Sequence, residues 1–570
     1  MNHTSRFPLA AIRAWGRDWL LAIGALAWII AYARLGYGSL LDPDEAHYAQ
    51  LTREMIRSRS WFVPLLDGSP FIDKPILFHW LQMSSVWLFG ESEFALRLPT
   101  ALAGLALVAV TRWLGMQLFD RRTGNTAALM FATLPFTFAL AHVALFDMVY
   151  AAFLVGGIAC FIVAAIRDRD DLQYRGYLLL SLAVMTKGPV ALVLAGLWLC
   201  LCTCFIATAR RSLGRLQWIT GLVAVVVLSS PWFVYMWYSF DKRFIQEYLL
   251  AGNLWYFTGP RSFSTRASDH TFYVRTFAGA FFPWSLVAVG YGVDIWRQQR
   301  KGQSISQEDA LLIGWVLTLF AFFSVARFKL DWYIFPIAPM CCVLAARGWT
   351  GLDDQQRIWT RRAVIAASVV FIGGSALTAA TMFRLNLELS DAAIVVPAAL
   401  AAGGILMAGS IARHRFARIP SVHVPVTALL ASYAGVVLLG LPVLERSRPT
   451  APIGRWIQRH TPPRTTVGVY GLTDWRSSIR FYSDRPLVTL DDADSVRRYL
   501  DANRTGYVLM LRRDFESLKQ DGAPVLEARR RRAIVGRDGT YLRRQIWSNL
   551  LVVTHTDNAP IIAGDLDDEP

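Results

Sequence analysis

Apolar runs of about 20 residues recur along this chain, and that repetition limits its fold more than any other feature. A run of that length spans the hydrocarbon core of a bilayer as a helix. Inside lipid the backbone must satisfy its own hydrogen bonds, which leaves helix bundles or closed barrels. Thirteen candidate spans are expected, at about 14–34, 97–118, 125–141, 148–166, 175–186, 189–208, 217–238, 273–295, 309–325, 332–348, 363–383, 391–412 and 423–443. Only 18% of the 570 residues are charged and 54% are hydrophobic. Soluble domains carry roughly 25% charge. The expected fold is an all-α polytopic membrane bundle.

The net charge of +16 does not point to nucleic acid, because the cations sit in short gaps between apolar runs. Lys and Arg concentrate on the cytoplasmic side of membrane proteins. With the N-terminus inside, one set of gaps holds Arg121 and Arg122, then Arg167, Arg169 and Arg175, then Arg210, Arg211 and Arg215. Arg297, Arg300 and Lys301, then Arg357, Arg361 and Arg362, then Arg413, Arg415 and Arg418 complete it. The first span follows Arg6, Arg13 and Arg17, is too long for a signal-peptide core and is expected to stay in the membrane. An odd number of spans puts the C-terminal tail outside. The pair 175–186 and 189–208 is read as a tight helical turn at Lys187-Gly188-Pro189.

The tail changes character. Segments 465–470, 486–490 and 506–511 read as strands, alternating with helical patterns over 475–482 and 494–502. Residues 1–444 are therefore read as the membrane domain, with external loops 41–96 and 240–272. Residues 445–570 are read as a small periplasmic α/β domain with an acidic, disordered end. Asp491-Asp492 is expected to cap the second tail helix, and the run Arg529 to Arg532 reads as a solvated face. The six cysteines all fall in apolar spans and read as buried small hydrophobes; Cys200, Cys202 and Cys204 do not form a metal set.

Three external segments break the pattern of cation-poor outer gaps. The first, Leu41 to Leu96, opens with Asp42, Asp44 and Glu45 and continues to Asp73-Lys74-Pro75. Carboxylates this close to a bilayer are costly, so they read as functional. Asp147, between two apolar runs, adds an external carboxylate. Lys187 lies in an outer turn where topology needs no cation, and an anion partner is the favoured reading. The second segment, 240–272, mixes Arg261 and His270 with Trp255, Tyr256 and Phe257, as suits a surface segment or sugar and phosphate contact. The third joins Arg327, Lys329 and Tyr333 at another outer turn. No Gly-rich phosphate loop, His-Glu-x-x-His or nucleophile elbow is present. An outward-facing enzyme without nucleotide must use a donor carried by the membrane.

In order along the chain, Pro43-Asp44-Glu45-Ala46-His47-Tyr48-Ala49, Asp73-Lys74-Pro75, Leu145-Phe146-Asp147, Thr186-Lys187-Gly188-Pro189 and Lys329-x-x-x-Tyr333-x-x-Pro336 resemble the bacterial glycosyltransferases of the C-type fold. The likeness is to the lipid A aminoarabinose transferases and protein-mannosyltransferase-like enzymes, and it covers about 14–443. It implies a polyprenyl-phosphate-linked sugar donor, a lipid or glycolipid acceptor such as lipid A, and inverting transfer at the periplasmic face of the bacterial inner membrane. It implies Asp44 as the general base. Glu45, Asp73, Lys74 and Asp147 would line the sugar and acceptor side. Lys187, Arg261, His270, Lys329 and Tyr333 would meet the donor phosphate. A divalent cation is left open, since family members differ in metal use and the residues show no strong ligand set. The chain is read as a monomer among membrane lipids, with no nucleic-acid partner.

This chain also departs from that pattern. Aminoarabinose transferases carry Glu where Asp73 stands, Tyr where Phe71 stands, and Arg where His47 stands. The reaction class survives these changes, and recognition of the amino sugar is where they bear. A protein O-mannosyltransferase shares the motif order. A transporter or flippase for a lipid-linked sugar is the reading from another class, but no internal repeat of the kind common in transporters is visible.

Overall fold

The computed structural model describes residues 34–258, 269–384, 390–414, 422–446, 448, 450–472, 476–503, 505–511, 514–515, 517–518, 526–536 and 545–554. The chain divides into two compact units. One holds Ile72–Leu88 and Arg97–Val437 together with the residues up to Leu35. The other gathers Gly36–Phe71, Phe89–Leu96 and the chain from Leu438 onward.

The first unit is helical. Among the described residues six helices are long and apolar enough to cross a membrane: Glu93–Leu118, Phe146–Arg167, Trp218–Leu254, Gln307–Val325, Ile358–Ala380 and His423–Gly440. Two bent pairs, Arg121–Ala132 with Pro135–Ala141 and Phe272–Ala280 with Trp284–Arg300, raise the number to eight. This is the multi-pass bundle expected, with fewer full-length elements than thirteen. The expected span at 14–34 lies outside the described residues. That at 332–348 starts as a 3-10 turn, Asp331–Ile337, and leaves only Ala338–Thr350 as α-helix. Thirteen residues reach about 20 Å, short of a 30 Å hydrocarbon core.

Phe146–Arg167 and Asp171–Lys187 form a helical hairpin in this unit. The first helix is buried along nearly its whole length. The two approach closely where small residues face: a Cβ on Gly157 would lie 3.1 Å from the Gly176 carbonyl, and one on Gly176 only 2.5 Å from the Phe161 ring. Such small-residue contacts let helix backbones close up in lipid. The second helix stops at Gly188, whose φ of +99° favours glycine. Pro189 then starts the next helix, Val190–Phe205.

The cysteine reading holds for Cys160, Cys202, Cys341 and Cys342, which are buried, and fails for two others. Cys200 and Cys204 are exposed, with sulfurs 3.9 Å apart. A spacing of four places both on one helical face, and Cys202 between them turns inward.

The second unit contains a hairpin, β1 (Leu65–Leu66) with β2 (Ser69–Pro70), and a five-stranded sheet. Its strands are β3 (Val467–Tyr470), β4 (Leu487–Leu490), β5 (Tyr507–Leu511), β6 (Leu526–Gly536) and β7 (Gln545–Thr554), in the order β4-β3-β5-β7-β6. β3 runs parallel to β4 and β5, and β7 is antiparallel to β5 and β6. Parallel neighbours need crossovers. The helices Arg476–Ser483 and Ala493–Ala502 lie in those connections. Alternate residues of β5 enter opposite cores, Leu509 with Trp456 and Val469, and Val508 and Met510 with Val496 and Leu500. Asp492 caps the second helix in a box with Ser495.

Candidate functional site

In the first unit, Asp147 lies in the first turn of Phe146–Arg167 and Lys187 is the last residue of Asp171–Lys187. Each charge stands at the helix end whose dipole favours it. The antiparallel hairpin brings the two ends together, and Lys187 Nζ lies 2.5 Å from Asp147 Oδ1. The Asp147 side chain is buried, at 5% exposure, and that of Lys187 is mostly covered, at 13%. Three rings surround the ammonium: Tyr333 with its centroid at 4.5 Å, Tyr150 at 5.2 Å and Phe146 at 5.3 Å. Ring faces attract a desolvated cation. An ammonium has three donors, so the Asp147 bond leaves capacity for another acceptor.

Asp73 and Lys74 form a second pair in the same unit, 2.9 Å from Nζ to Oδ1. The Lys74 charge acts on Lys187, and that of Asp73 on Tyr248. Tyr248 belongs to a π-helix, Ile245–Leu254. Gly252 of that helix closes on Asp73, where an added Cβ would stand 3.1 Å from Oδ1. A Cβ on Gly188 would stand 2.3 Å from Tyr248 Oη. The hydroxyls of Tyr248 and Tyr150 are both buried and without a hydrogen-bond partner among the described residues. Beside the Lys187 turn, Val184, Pro189, Phe233, Trp237, Phe244 and Leu249 line an apolar groove of about 360 Å³.

Lys329 is almost fully buried and donates to the Ala326 carbonyl. Burial pushes its ammonium below the ordinary lysine range, with the Asp269 charge opposing. Asp269 accepts from Thr271 N–H at 3.1 Å and from its hydroxyl at 2.9 Å, and pairs with Arg275. His270 beside it is exposed. Thr276 donates to Asp331 at 3.0 Å, tying the helix Phe272–Ala280 to the 3-10 turn that carries Tyr333. Arg261 lies outside the described residues.

Asp44 and Glu45 belong to the second unit. Asp44 is the half-buried first residue of the helix Asp44–Ser58. Glu45, 1% exposed, accepts from Leu41 N–H at 2.7 Å. The His47 and Phe71 rings meet edge to face at 4.8 Å. Among the described residues no three His, Cys, Asp or Glu side chains converge as a metal set.

So Asp147, Lys187 and Tyr333 come together, with the Asp73–Lys74 pair in electrostatic reach. Tyr150 and Tyr248 were not singled out from sequence. Tyr150 carries a signal, three residues beyond Asp147 on one helical face. Tyr248 carries none.

The profile of the family described as dolichyl-phosphate-mannose-protein mannosyltransferase matches residues 19–243. An undecaprenyl phosphate-alpha-4-amino-4-deoxy-L-arabinose arabinosyl transferase of Sodalis glossinidius is 31% identical over 58% of this chain, and the match spans 58% of that relative's own length. An uncharacterized protein of Aquifex aeolicus is 24% identical over 81% of this chain and 86% of its own. The crystal structure of ArnT from Cupriavidus metallidurans bound to undecaprenyl phosphate superposes with a TM-score of 0.72, at 22% identity, over 94% of this chain and 98% of that one.

Proposed function

We propose that this chain, which belongs with the C-type-fold glycosyltransferases resembling lipid A aminoarabinose transferases and protein mannosyltransferases, moves a sugar from a polyprenyl-phosphate donor to a lipid A-like glycolipid. Transfer takes place at the periplasmic face of the bacterial inner membrane and inverts the anomeric centre. In this reading the N-terminus is cytoplasmic, about thirteen spans cross the bilayer, and the C-terminal α/β domain is periplasmic.

The observation that carries the reading is the caged Lys187–Asp147 pair beside an apolar groove. A polyprenyl phosphate has a matching shape, an anionic head on a long apolar tail. Lys187 and Lys329 would offset the charge that develops on the leaving phosphate, and Tyr333, Arg261 and His270 would be further donors to it. Asp44 would take the proton from the acceptor hydroxyl as the C–O bond forms. Glu45, Asp73, Lys74 and Asp147 would line the sugar and acceptor side.

The test is to add labelled undecaprenyl-phosphate sugar to membranes containing the protein and follow the label. Label should enter glycolipid, and Asp44→Asn should abolish transfer while donor binding persists. Label entering protein would favour the mannosyltransferase reading, which the family match at residues 19–243 keeps in view. Full transfer by Asp44→Asn would remove the base assignment.

A further inference from the structure

Within the second unit, the segment leading into Asp44 is held by residues that follow it by 406 to 442 positions. Ser39 N–H donates to Glu445 Oε1 at 2.9 Å. The carbonyls of Ser39 and Leu40 accept from Arg448 at 2.6 and 2.7 Å. Leu40 N–H donates to Tyr482 Oη at 2.7 Å, and Tyr482 in turn donates to Glu93 at 3.0 Å. Asp42 Oδ1 accepts from Ser478 N–H at 2.8 Å, and Oδ2 accepts from the Ser478 hydroxyl.

Ser478 is the third residue of the helix Arg476–Ser483. The first N–H groups of a helix lack partners inside it. Asp42 therefore caps this helix from a distant part of the chain, with a carboxylate where the dipole favours one. The other end is held in return from the helix that Asp44 begins. Arg53 donates to the Phe481 carbonyl at 2.5 Å with its guanidinium 3.4 Å over the Phe481 ring, and Arg57 pairs with Asp484 at 2.6 Å. Between these ends Arg480 bonds Asp67 of the β1–β2 hairpin at 2.7 Å. The helix Arg476–Ser483 is thus held at both ends, at its start by Asp42 and at its close by Arg53 and Arg57 of the helix that Asp44 begins. Ser478 and Tyr482 are buried, at 0% and 5% exposure, so these bonds are shielded from competing water.

We propose that the helix Arg476–Ser483 is the positioning element for Asp44, with Ser478 and Tyr482 as its positioning residues. The proposal rests on Asp44 being the base. A general base must stand within about 2.6–3.2 Å of the proton it takes, and a displacement of about 1 Å can cost roughly 100-fold in rate. The bonds hold the backbone of Ser39 and Leu40 and the side chain of Asp42, two residues before Asp44, where a small shift would move its carboxylate directly.

The test uses the full chain in lipid nanodiscs and two readouts, transfer kinetics and hydrogen–deuterium exchange over residues 39–46. Ser478→Ala removes the hydroxyl bond, and Tyr482→Phe removes the acceptor of Leu40 N–H. The double variant should lose about tenfold or more in kcat, hold its donor KM within about twofold, and exchange faster over 39–46. Ser478→Thr should restore kcat in the Ser478 series. Unchanged kcat or unchanged exchange in the double variant would overturn the proposal, as would a loss that appears in donor KM alone. If the double variant is too unstable to assay, Tyr482→Phe alone is held to the same criteria. Exchange is independent of chemistry. Full activity in Asp44→Asn would therefore remove the base assignment and still leave the exchange result to stand or fall by itself.

Discussion

Lys187 and Asp147 close the open end of a helical hairpin, 2.5 Å apart and 40 residues distant in sequence. Removing one partner of a buried pair leaves an uncompensated charge and costs about 3–5 kcal/mol, whereas replacing both with apolar groups is often near neutral. Asp147→Leu should therefore lower the unfolding temperature in detergent, and Lys187→Met combined with Asp147→Leu should recover most of the loss. If the two single losses add in the double variant, the pair is not coupled as described.

Lys187→Met should also weaken donor use. An ammonium that meets the lipid phosphate contributes to binding in the ground state, so donor KM should rise by about tenfold, equivalent to roughly 1.4 kcal/mol. Steady-state kinetics with labelled donor measure this. A changed acceptor KM with unchanged donor KM would move Lys187 to the acceptor side.

Gly188 is constrained twice, by its φ of +99° and by the Tyr248 hydroxyl, 2.3 Å from where a Cβ would sit. Gly188→Ala should destabilise by about 1–3 kcal/mol from the backbone alone, with the collision added. Tyr248→Phe removes the colliding oxygen, and the next atom, Cζ, is an ordinary 3.4 Å away. The pair of changes should recover the steric part. Tyr248→Phe alone should be neutral or slightly stabilising, because a buried hydroxyl without a hydrogen-bond partner among the described residues carries a desolvation cost. Thermal unfolding of the three variants decides it.

Burial pushes the Lys329 ammonium down, so it loses its proton at a lower pH than an exposed lysine. Below that lowered pKa it is charged and can meet phosphate; above it, it is neutral. Donor KM should therefore climb on the alkaline side while the pH is still below the ordinary lysine value of about 10.4. Lys329→Arg should move that rise to higher pH, since guanidinium stays charged. A donor KM profile identical in the two proteins would exclude Lys329 from phosphate contact.

His47 and Phe71, two positions where this chain departs from aminoarabinose transferases, touch each other at 4.8 Å. Neighbours in contact couple by about 0.5 kcal/mol or more. His47→Arg and Phe71→Tyr should therefore change sugar selectivity non-additively, the double variant accepting aminoarabinose better than the two single changes combined would give. Competition between labelled donors reads this out, and strict additivity would refute the coupling.

Much of this architecture was legible in the sequence, and the reasons are local. In the tail, the short apolar runs at Val467–Tyr470 and Tyr507–Leu511, set between helical patterns, marked strands, and Tyr507–Leu511 is apolar throughout because its alternate residues enter opposite cores. The turn at Gly188-Pro189 was readable because backbone geometry there demands those residue types. The Lys187–Asp147 bond was not, because pairing depends on how a hairpin closes, and each residue had been given a different partner. The burial of Glu45 against Leu41 was equally invisible, since a carboxylate near a membrane reads alike whether it meets substrate or its own backbone. Exposed Cys200 and Cys204 show the same limit, because an apolar span does not reveal which face turns outward.

The cap that Asp42 places on Ser478 spans 436 residues, and this has a consequence in time. Ribosomes add about 5–20 residues per second, so Ser478 emerges roughly 20–90 s after Asp42. Throughout that interval the segment before Asp44 lacks most of its holding bonds, although the helices that follow have already been made. A chain that stops anywhere before the tail would carry its proposed base behind a segment that lacks those bonds. On the proposed role of Asp44, completion of synthesis, rather than insertion of the bundle, is then the event that sets Asp44 in place.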